Sequence, residues 1–359
     1  MNHYAQAAPL RILQVTDARS WRGGERQILL LAQGLLARGH QVWVACEPAL
    51  GRRFREAGVP TVPLHLGGSP LRALPDLVRA LRRLRPHLVA AQSSGAHTLA
   101  LLARTLGGRV PLVVHRRRPS PIGRWSLWKY RSPAVRRYVA ISRYVAETLQ
   151  QAGVPEQRIA VVPSGLRFPL PPVLRREDLD LPEERPIVGT VAAFTREKNL
   201  EFWLKVVAHL RQRRPEVVPV LVGEGYLEPM LRRRARDLGL AGALRILRYR
   251  PGIAGVFTLF LSTSRVEGLG TALMEALAYG VPVVAPRVGG IPEVVRHRET
   301  GWLVDSWRTE DFVAALQRLL EDAEERRRLA EAARRDIPAR FSADRMVDAT
   351  VEVYREVLR

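Results

Sequence analysis

Cysteine is nearly absent: Cys46 stands alone in 359 residues, which excludes a disulfide framework and any cysteine-based metal site. No run of 18 apolar residues occurs, so a membrane-spanning helix is not expected. The opening residues, MNHYAQAAPL, lack a basic segment followed by an apolar one. A secretory signal is therefore not expected, and a cytoplasmic protein is the default reading. The eight histidines show neither i,i+4 nor paired ligand spacing, so no metal and no bound cofactor are expected. Nor is there a G-x-G-x-x-G dinucleotide fingerprint. Lysine is scarce too, with Lys129, Lys198 and Lys205 the only lysines among 57 basic side chains.

What is present in excess is arginine. The formal net charge is +22, which has two readings: a compositional habit, or attraction towards anionic partners such as lipid head groups, phosphorylated acceptors or nucleic acid. Nearly half the residues are apolar, as in a globular protein, and the length leans towards two domains.

Short apolar strands alternate with amphipathic helices along the chain. In the first half, strands are expected at 10–15, 41–46, 61–64, 88–91, 110–114, 138–141 and 159–162. Helices are expected near 25–38, 71–84, 97–106 and 144–151. A segment rich in proline and charge, 164–186, then breaks the pattern. A second series follows, with strands at 187–191, 219–222, 245–247, 259–261, 283–285 and 302–304. Its helices fit 200–213, 227–238, 271–279, 311–320, 323–335 and 343–358. Such alternation builds doubly wound parallel sheets. The expected domains are 1–165, a linker 166–186, a second domain 187–341 and a closing helix 342–359.

The most informative stretch is Ser264 to Glu293, SRVEGLGTALMEALAYGVPVVAPRVGGIPE. The turn Glu267-Gly268-Leu269-Gly270 opens a helix, whose N-terminal N–H groups favour a phosphate that the glycines let approach closely. Glu267 and Glu275 lie eight residues apart, and an ionised carboxylate accepts hydrogen bonds from a sugar or ribose diol. A phosphate cradle flanked by two polyol receptors suggests a nucleotide sugar.

The whole string resembles the retaining GT-B glycosyltransferases of family 4: an EGxG turn, a second glutamate on the helix, a G-x-P-V-V strand and a GG-x-x-E loop. The resemblance extends over nearly the whole chain. It implies two doubly wound, Rossmann-like domains facing across a cleft, an α/β fold whose last helix returns to the first domain. It implies that Gly23 and Gly24, in a loop similar to the family's GGxER, face the donor phosphate and acceptor. It implies that Lys198 and the turn Gly268-Leu269-Gly270 hold the diphosphate, and that Glu275 holds the ribose. Glu267 and His115 would orient the transferred sugar. The chain departs from the pattern at Ala193, where the family has an arginine: either a second cation is missing there or Arg196 supplies it. It also departs after Tyr249 and Arg250, where the loop is shorter. Gly223-Glu224-Gly225 matches a turn beside the nucleotide base. His97 is a further candidate facing the cleft. Asp178-Leu179-Asp180 spells D-x-D, the metal motif of another glycosyltransferase fold, but it lies among arginines in the proline-rich segment and reads as a solvated patch.

Residues 116–137 hold eight basic side chains and no acid, interleaved with aromatics. Arg116, Arg117, Arg118, Trp125 and Trp128 are expected to form a patch for an anionic membrane surface or a lipid-linked acceptor. The sequence thus points to an enzyme moving a sugar from a nucleoside diphosphate sugar to an acceptor hydroxyl, lipid-linked or part of a cell-envelope glycan. The rivals are a nucleotide-sugar epimerase or phosphorylase of the same fold and, on charge alone, a nucleic-acid-binding protein.

Overall fold

The computed structural model describes residues 8–359, so the first seven residues, with His3, lie outside the described residues. The chain divides into two compact units, one of residues up to Gly165 together with Ala343–Arg359, the other Leu166–Ser342.

The first unit holds a seven-stranded parallel sheet. Its strands are β1 (Arg11–Val15), β2 (Gln41–Cys46), β3 (Thr61–Pro63), β4 (Leu88–Ala91), β5 (Leu112–Arg116), β6 (Val135–Ala140) and β7 (Ile159–Val161), in the order β3-β2-β1-β4-β5-β6-β7. Helices α1 (Gly23–Ala37), α2 (Pro48–Glu56), α3 (Leu74–Leu84), α4 (Ser94–Gly107), α5 (Leu127–Tyr130) and α6 (Arg143–Gln151) join the strands. The central strands are buried along most of their length, β4 and β5 entirely and β1 from Ile12 to Val15, because helices cover both faces. The order reverses between β1 and β4, which makes that junction the switch point where such sheets take ligands.

The second unit repeats the plan with six parallel strands: β8 (Ile187–Val191), β9 (Val218–Val222), β10 (Arg245–Leu247), β11 (Leu259–Leu261), β12 (Val283–Pro286) and β13 (Gly301–Val304). Their order is β10-β9-β8-β11-β12-β13, so this switch point lies between β8 and β11. Helices α7 (Leu200–Arg213), α8 (Glu228–Asp237), α9 (Thr271–Ala278), α10 (Ile291–Val294), α11 (Thr309–Glu321) and α12 (Ala323–Phe341) complete it. Trp203, fully buried at its centre, donates its indole N–H to the Leu261 carbonyl at 3.2 Å.

The closing helix α13 (Ala343–Leu358) packs on α1 in the first unit. Met346, Val347, Val351 and Tyr354 share one core with Ile28, Leu31 and Leu35. A Cβ on Gly34 would overlap Cγ2 of Val347, so glycine sets how closely the two helices approach. Arg38 donates to Asp348 at 2.7 Å along the same seam.

Three sequence expectations need correction. Helix α2 was not expected, because PALGRRFRE is short, basic and interrupted by glycine. Proline at its first position and the Leu50/Phe54 pair, four apart and both buried, are what make it helical. Segment 166–186 is not a free linker. Arg176 donates to the carbonyls of Glu183 (2.5 Å), Arg185 (3.0 Å) and Val256 (3.2 Å), and Leu179 and Leu181 are buried, so it lies on the second unit. Helix α12 runs past the expected stop at Arg335, through Pro338, because Ile337 and Phe341 bury one face. Among the described residues no helix is long and apolar enough to cross a membrane.

Candidate functional site

At and beside the switch point of the second unit, the sheet's C-terminal edge gathers the loops that follow β8, β9, β10, β11 and β12. Lys198 follows β8 and Glu267 follows β11, and the structure joins them: Nζ to Oε2 is 2.5 Å, with the two side chains 23% and 17% exposed. Ser264 donates to the same carboxylate oxygen at 3.4 Å. Thr263 donates its hydroxyl to the backbone carbonyls of Lys198 and Asn199, both at 3.2 Å, which ties the two loops together beneath the ion pair. Glu275, on α9, accepts from the Tyr249 hydroxyl at 3.0 and 3.2 Å. In the sequence Tyr249 stands only at the start of a shortened loop, with nothing to mark it as the partner of this carboxylate. A tyrosine just after β10 carries no motif of its own; only the sheet order brings it to α9.

Glycines let these loops approach. Gly270, at φ +94°, caps α9 and has no side chain of its own to accept from the helix's first N–H groups. A Cβ on Gly290 would overlap the Gly268 carbonyl, and the Gly290 N–H donates to the Glu267 carbonyl at 2.9 Å. The GG loop thus braces the GLG turn from behind. Ala193, two residues after β8, stands where the family motif has an arginine, and Arg196 is exposed three residues on. Gly223, also at positive φ, packs on the Ala192 carbonyl.

In the first unit the expected residues fall differently. Gly23 and Gly24 form the first turn of α1, where Glu25 accepts the Arg22 N–H at 3.0 Å. A Cβ on Gly24 would meet nothing within 4 Å, so the protein itself does not require glycine there. His115 already has a partner within the first unit. It is buried, and its Nε2 lies 2.8 Å from the Tyr354 hydroxyl of α13, a tie between strand and helix; burial, then the Arg117 charge, holds it well below the usual imidazole range. His97 is likewise not exposed, its ring packed edge-on against Tyr130 and Tyr138. The basic patch is split. Arg116 turns inward to the Tyr130 hydroxyl at 2.9 Å, and Arg117 to Gln92 at 2.5 Å, whereas Arg118 is exposed and Trp125 and Trp128 are 95% and 54% exposed. The reason is register: β5 runs on to Arg116, two residues beyond the expected strand end. Asp178 is paired with Arg175 at 3.0 Å, and no acidic, histidine or cysteine cluster fit for a metal occurs among the described residues.

Two nucleotide-type sheets with their loops built this way define a GT-B glycosyltransferase, and comparison with known proteins agrees. The model for glycosyl transferases group 1 matches residues 174–336, and that for glycosyltransferase family 4 matches residues 21–167. The chain belongs to this group 1 glycosyltransferase family and is an enzyme that transfers sugar from a nucleotide-sugar donor. It is 29% identical to a GDP-mannose-dependent phosphatidylinositol monomannoside mannosyltransferase of Mycolicibacterium smegmatis, over 87% of this chain and 89% of that one. It is 28% identical to the alpha-D-kanosaminyltransferase of Streptomyces kanamyceticus, over 78% and 81%. Identity to the lipopolysaccharide core glycosyltransferase LpsE of Rhizobium meliloti is 32%, over about half of each chain. Among solved structures, Anabaena Alr3699/HepE superposes with a TM-score of 0.87 at 20% identity, over 97% of this chain and all of that one.

Proposed function

We propose that the chain is a retaining transferase passing a sugar from a nucleoside diphosphate sugar to a hydroxyl of a lipid-linked or cell-envelope acceptor at the inner face of a membrane. The observation that carries the donor site is the pair of engaged carboxylates on either side of the GLG turn: Glu267 with Lys198, and Glu275 with Tyr249. In the donor complex the ribose hydroxyls take the place of the Tyr249 hydroxyl on Glu275, or join it. The diphosphate lies on the N–H groups at the start of α9. Lys198 turns to the phosphates and offsets the charge that develops as the diphosphate leaves, a role that asks for no metal. Glu267, released from Lys198, orients the transferred sugar. The open space at Gly24 suits a ligand coming close to the backbone of α1. Support for the donor class comes from HepE, which was crystallised with UDP-glucose, and from the mannosyltransferase, whose name specifies GDP-mannose.

Trp125 and Trp128, exposed beside Arg118 and Arg124, suit the interfacial layer of an anionic membrane. Relatives acting on phosphatidylinositol mannoside and lipopolysaccharide core support an envelope acceptor.

Thermal-shift titration with UDP-, GDP- and ADP-sugars tests the donor site. One of them stabilises the wild type. Glu275→Ala lowers its affinity by roughly 10-fold or more, and Tyr249→Phe changes it by less, on the order of 5-fold. Unchanged affinity in Glu275→Ala, with the fold intact, would mean the ribose lies elsewhere.

A further inference from the structure

The C-terminal edge of the first unit's sheet buries more positive charge than negative. Arg116, 8% exposed, donates to the Tyr130 hydroxyl at 2.9 Å and the Ser120 carbonyl at 2.5 Å. Lys129, 5% exposed, donates to the carbonyl and hydroxyl of Ser94 at 2.8 and 2.9 Å and to the Thr98 hydroxyl at 3.0 Å. Arg117 donates to the Gln92 amide oxygen at 2.5 Å. All of these acceptors are neutral. Two carboxylates act on the group, Asp17 on Lys129 and Glu25 on Arg117. Each is already engaged: Asp17 by the Ser93 hydroxyl at the start of α4, and Glu25 by the Arg22 N–H at the start of α1. Burial, followed by the Arg116 charge, lowers the Lys129 pKa, and burial brings Arg117 down to about 10.

The hydrogen-bond polarity runs one way. Gln92 donates its amide to the Gln14 oxygen at 2.8 Å and accepts from Arg117. The chain Gln14–Gln92–Arg117 therefore presents surplus donors; Gln14 Nε2 and Arg117 Nε in it, and Arg116 Nε beside it, are buried without a partner. Gln14 is on β1, Gln92 just past β4, and Arg116 and Arg117 at the end of β5, which places the group at and beside the switch point of this sheet. Buried cations and orphaned donors both carry a desolvation cost that an anion reverses.

We propose that this cluster seats an oxyanion of the acceptor, so that the molecule receiving the sugar carries a phosphate or carboxylate group held by Arg117 and Gln14, with Arg116 and Lys129 behind it. The inference deepens the transferase reading, on which the word acceptor rests, but the seat belongs to the first unit and can be tested apart from the donor.

The full chain carrying Lys198→Ala, which silences the donor's phosphate site, is titrated calorimetrically with inorganic phosphate, glycerol 3-phosphate, and vesicles of phosphatidylglycerol or phosphatidylcholine. Phosphate and its ester bind, and Arg117→Gln weakens them by roughly 10- to 100-fold. Equal binding of the soluble ester and phosphatidylglycerol marks a free phosphorylated acceptor. An Arg117-dependent preference for phosphatidylglycerol vesicles marks a lipid-borne one, and either outcome supports the seat. Gln14→Glu supplies an internal carboxylate, so it raises the melting temperature and abolishes phosphate binding. A lowered melting temperature in Gln14→Glu, or phosphate binding indifferent to Arg117→Gln, overturns the proposal. Nucleotide-sugar binding by the wild type, measured alongside, separates the two readings: donor binding with no phosphate seat sinks only the seat, and the reverse sinks only the donor site.

Discussion

His97 gives the first unit a built-in sensitivity to acid. Its ring, on α4, is wholly buried, 5.1 Å from the Tyr130 ring and 6.1 Å from that of Tyr138. Neither ring nitrogen makes a well-formed hydrogen bond, the Lys129 backbone being the polar group within reach. Burial first, and the neighbouring Lys129 charge second, lower its pKa from 6.5 to about 3, while the Lys129 backbone pulls weakly the other way. In the unfolded chain the same ring takes a proton below about pH 6.5. Between that value and about 3 the unfolded state binds one proton more than the folded state, so stability falls as pH falls. The slope is about 1.4 kcal/mol per pH unit for one proton, or about 3 kcal/mol between pH 6 and pH 4. His97→Leu removes the titration at similar volume. At pH 7 it loses two ring contacts of about 0.5–1.5 kcal/mol each and relieves an orphaned buried polar group of about 1–3 kcal/mol, so the net change there is small. The test is urea unfolding at pH 7, 6, 5 and 4, read by hydrogen exchange of α4 peptides, which report this unit alone. His115 and His40, whose pKa values burial also lowers, contribute to the wild-type slope and remain in the variant. The difference between the two slopes therefore isolates His97, and parallel slopes would refute the reasoning.

Gly34→Ala should lower the melting temperature by several degrees even though alanine favours helices by about 1 kcal/mol, because its Cβ overlaps Val347; overpacking costs about 1–3 kcal/mol. Val347→Ala in the same chain should restore most of the loss in a thermal melt. Lys198→Ala should lower kcat by about 10²- to 10³-fold, the range for losing a charge that stabilises a leaving group, with a smaller change in donor KM; equal changes in both would assign Lys198 to ground-state binding. Replacing Trp125 and Trp128 with alanine should abolish flotation with phosphatidylglycerol vesicles and leave the melting temperature unchanged, since Trp125 is 95% exposed.

The two switch points differ in how they are written in the sequence, and that difference decides what could be read. In the second unit, Glu267, Gly268, Gly270 and Glu275 sit on one loop and one helix within nine residues. Backbone conformation ties their identity to their spacing, so the string is legible as a phosphate cradle with flanking carboxylates. Only the pairings with residues from other strands, Tyr249 with Glu275 and Lys198 with Glu267, needed the sheet order to find them. In the first unit the polar group at the switch point comes from four places far apart in the chain: Gln14, Gln92, Arg116 with Arg117, and Lys129. None carries a local signature. Read along the chain, Arg116 and Arg117 belong to an exposed basic run, because charge density is visible in sequence and side-chain direction is not. The register of β5 decides it: once the strand extends to Arg116, that residue enters the sheet and its guanidinium must find oxygen acceptors inside the protein. His115 is reinterpreted by the same logic. Its place at a strand end was legible, but the hydroxyl that engages it arrives 239 residues later, on the helix that packs against α1. Local grammar therefore names the polar groups of the second unit, the proposed donor site. In the first unit, the proposed acceptor site, they are set by strand order and by the return of α13, so the chemistry there can change through register and packing while the motif of the second unit stays intact.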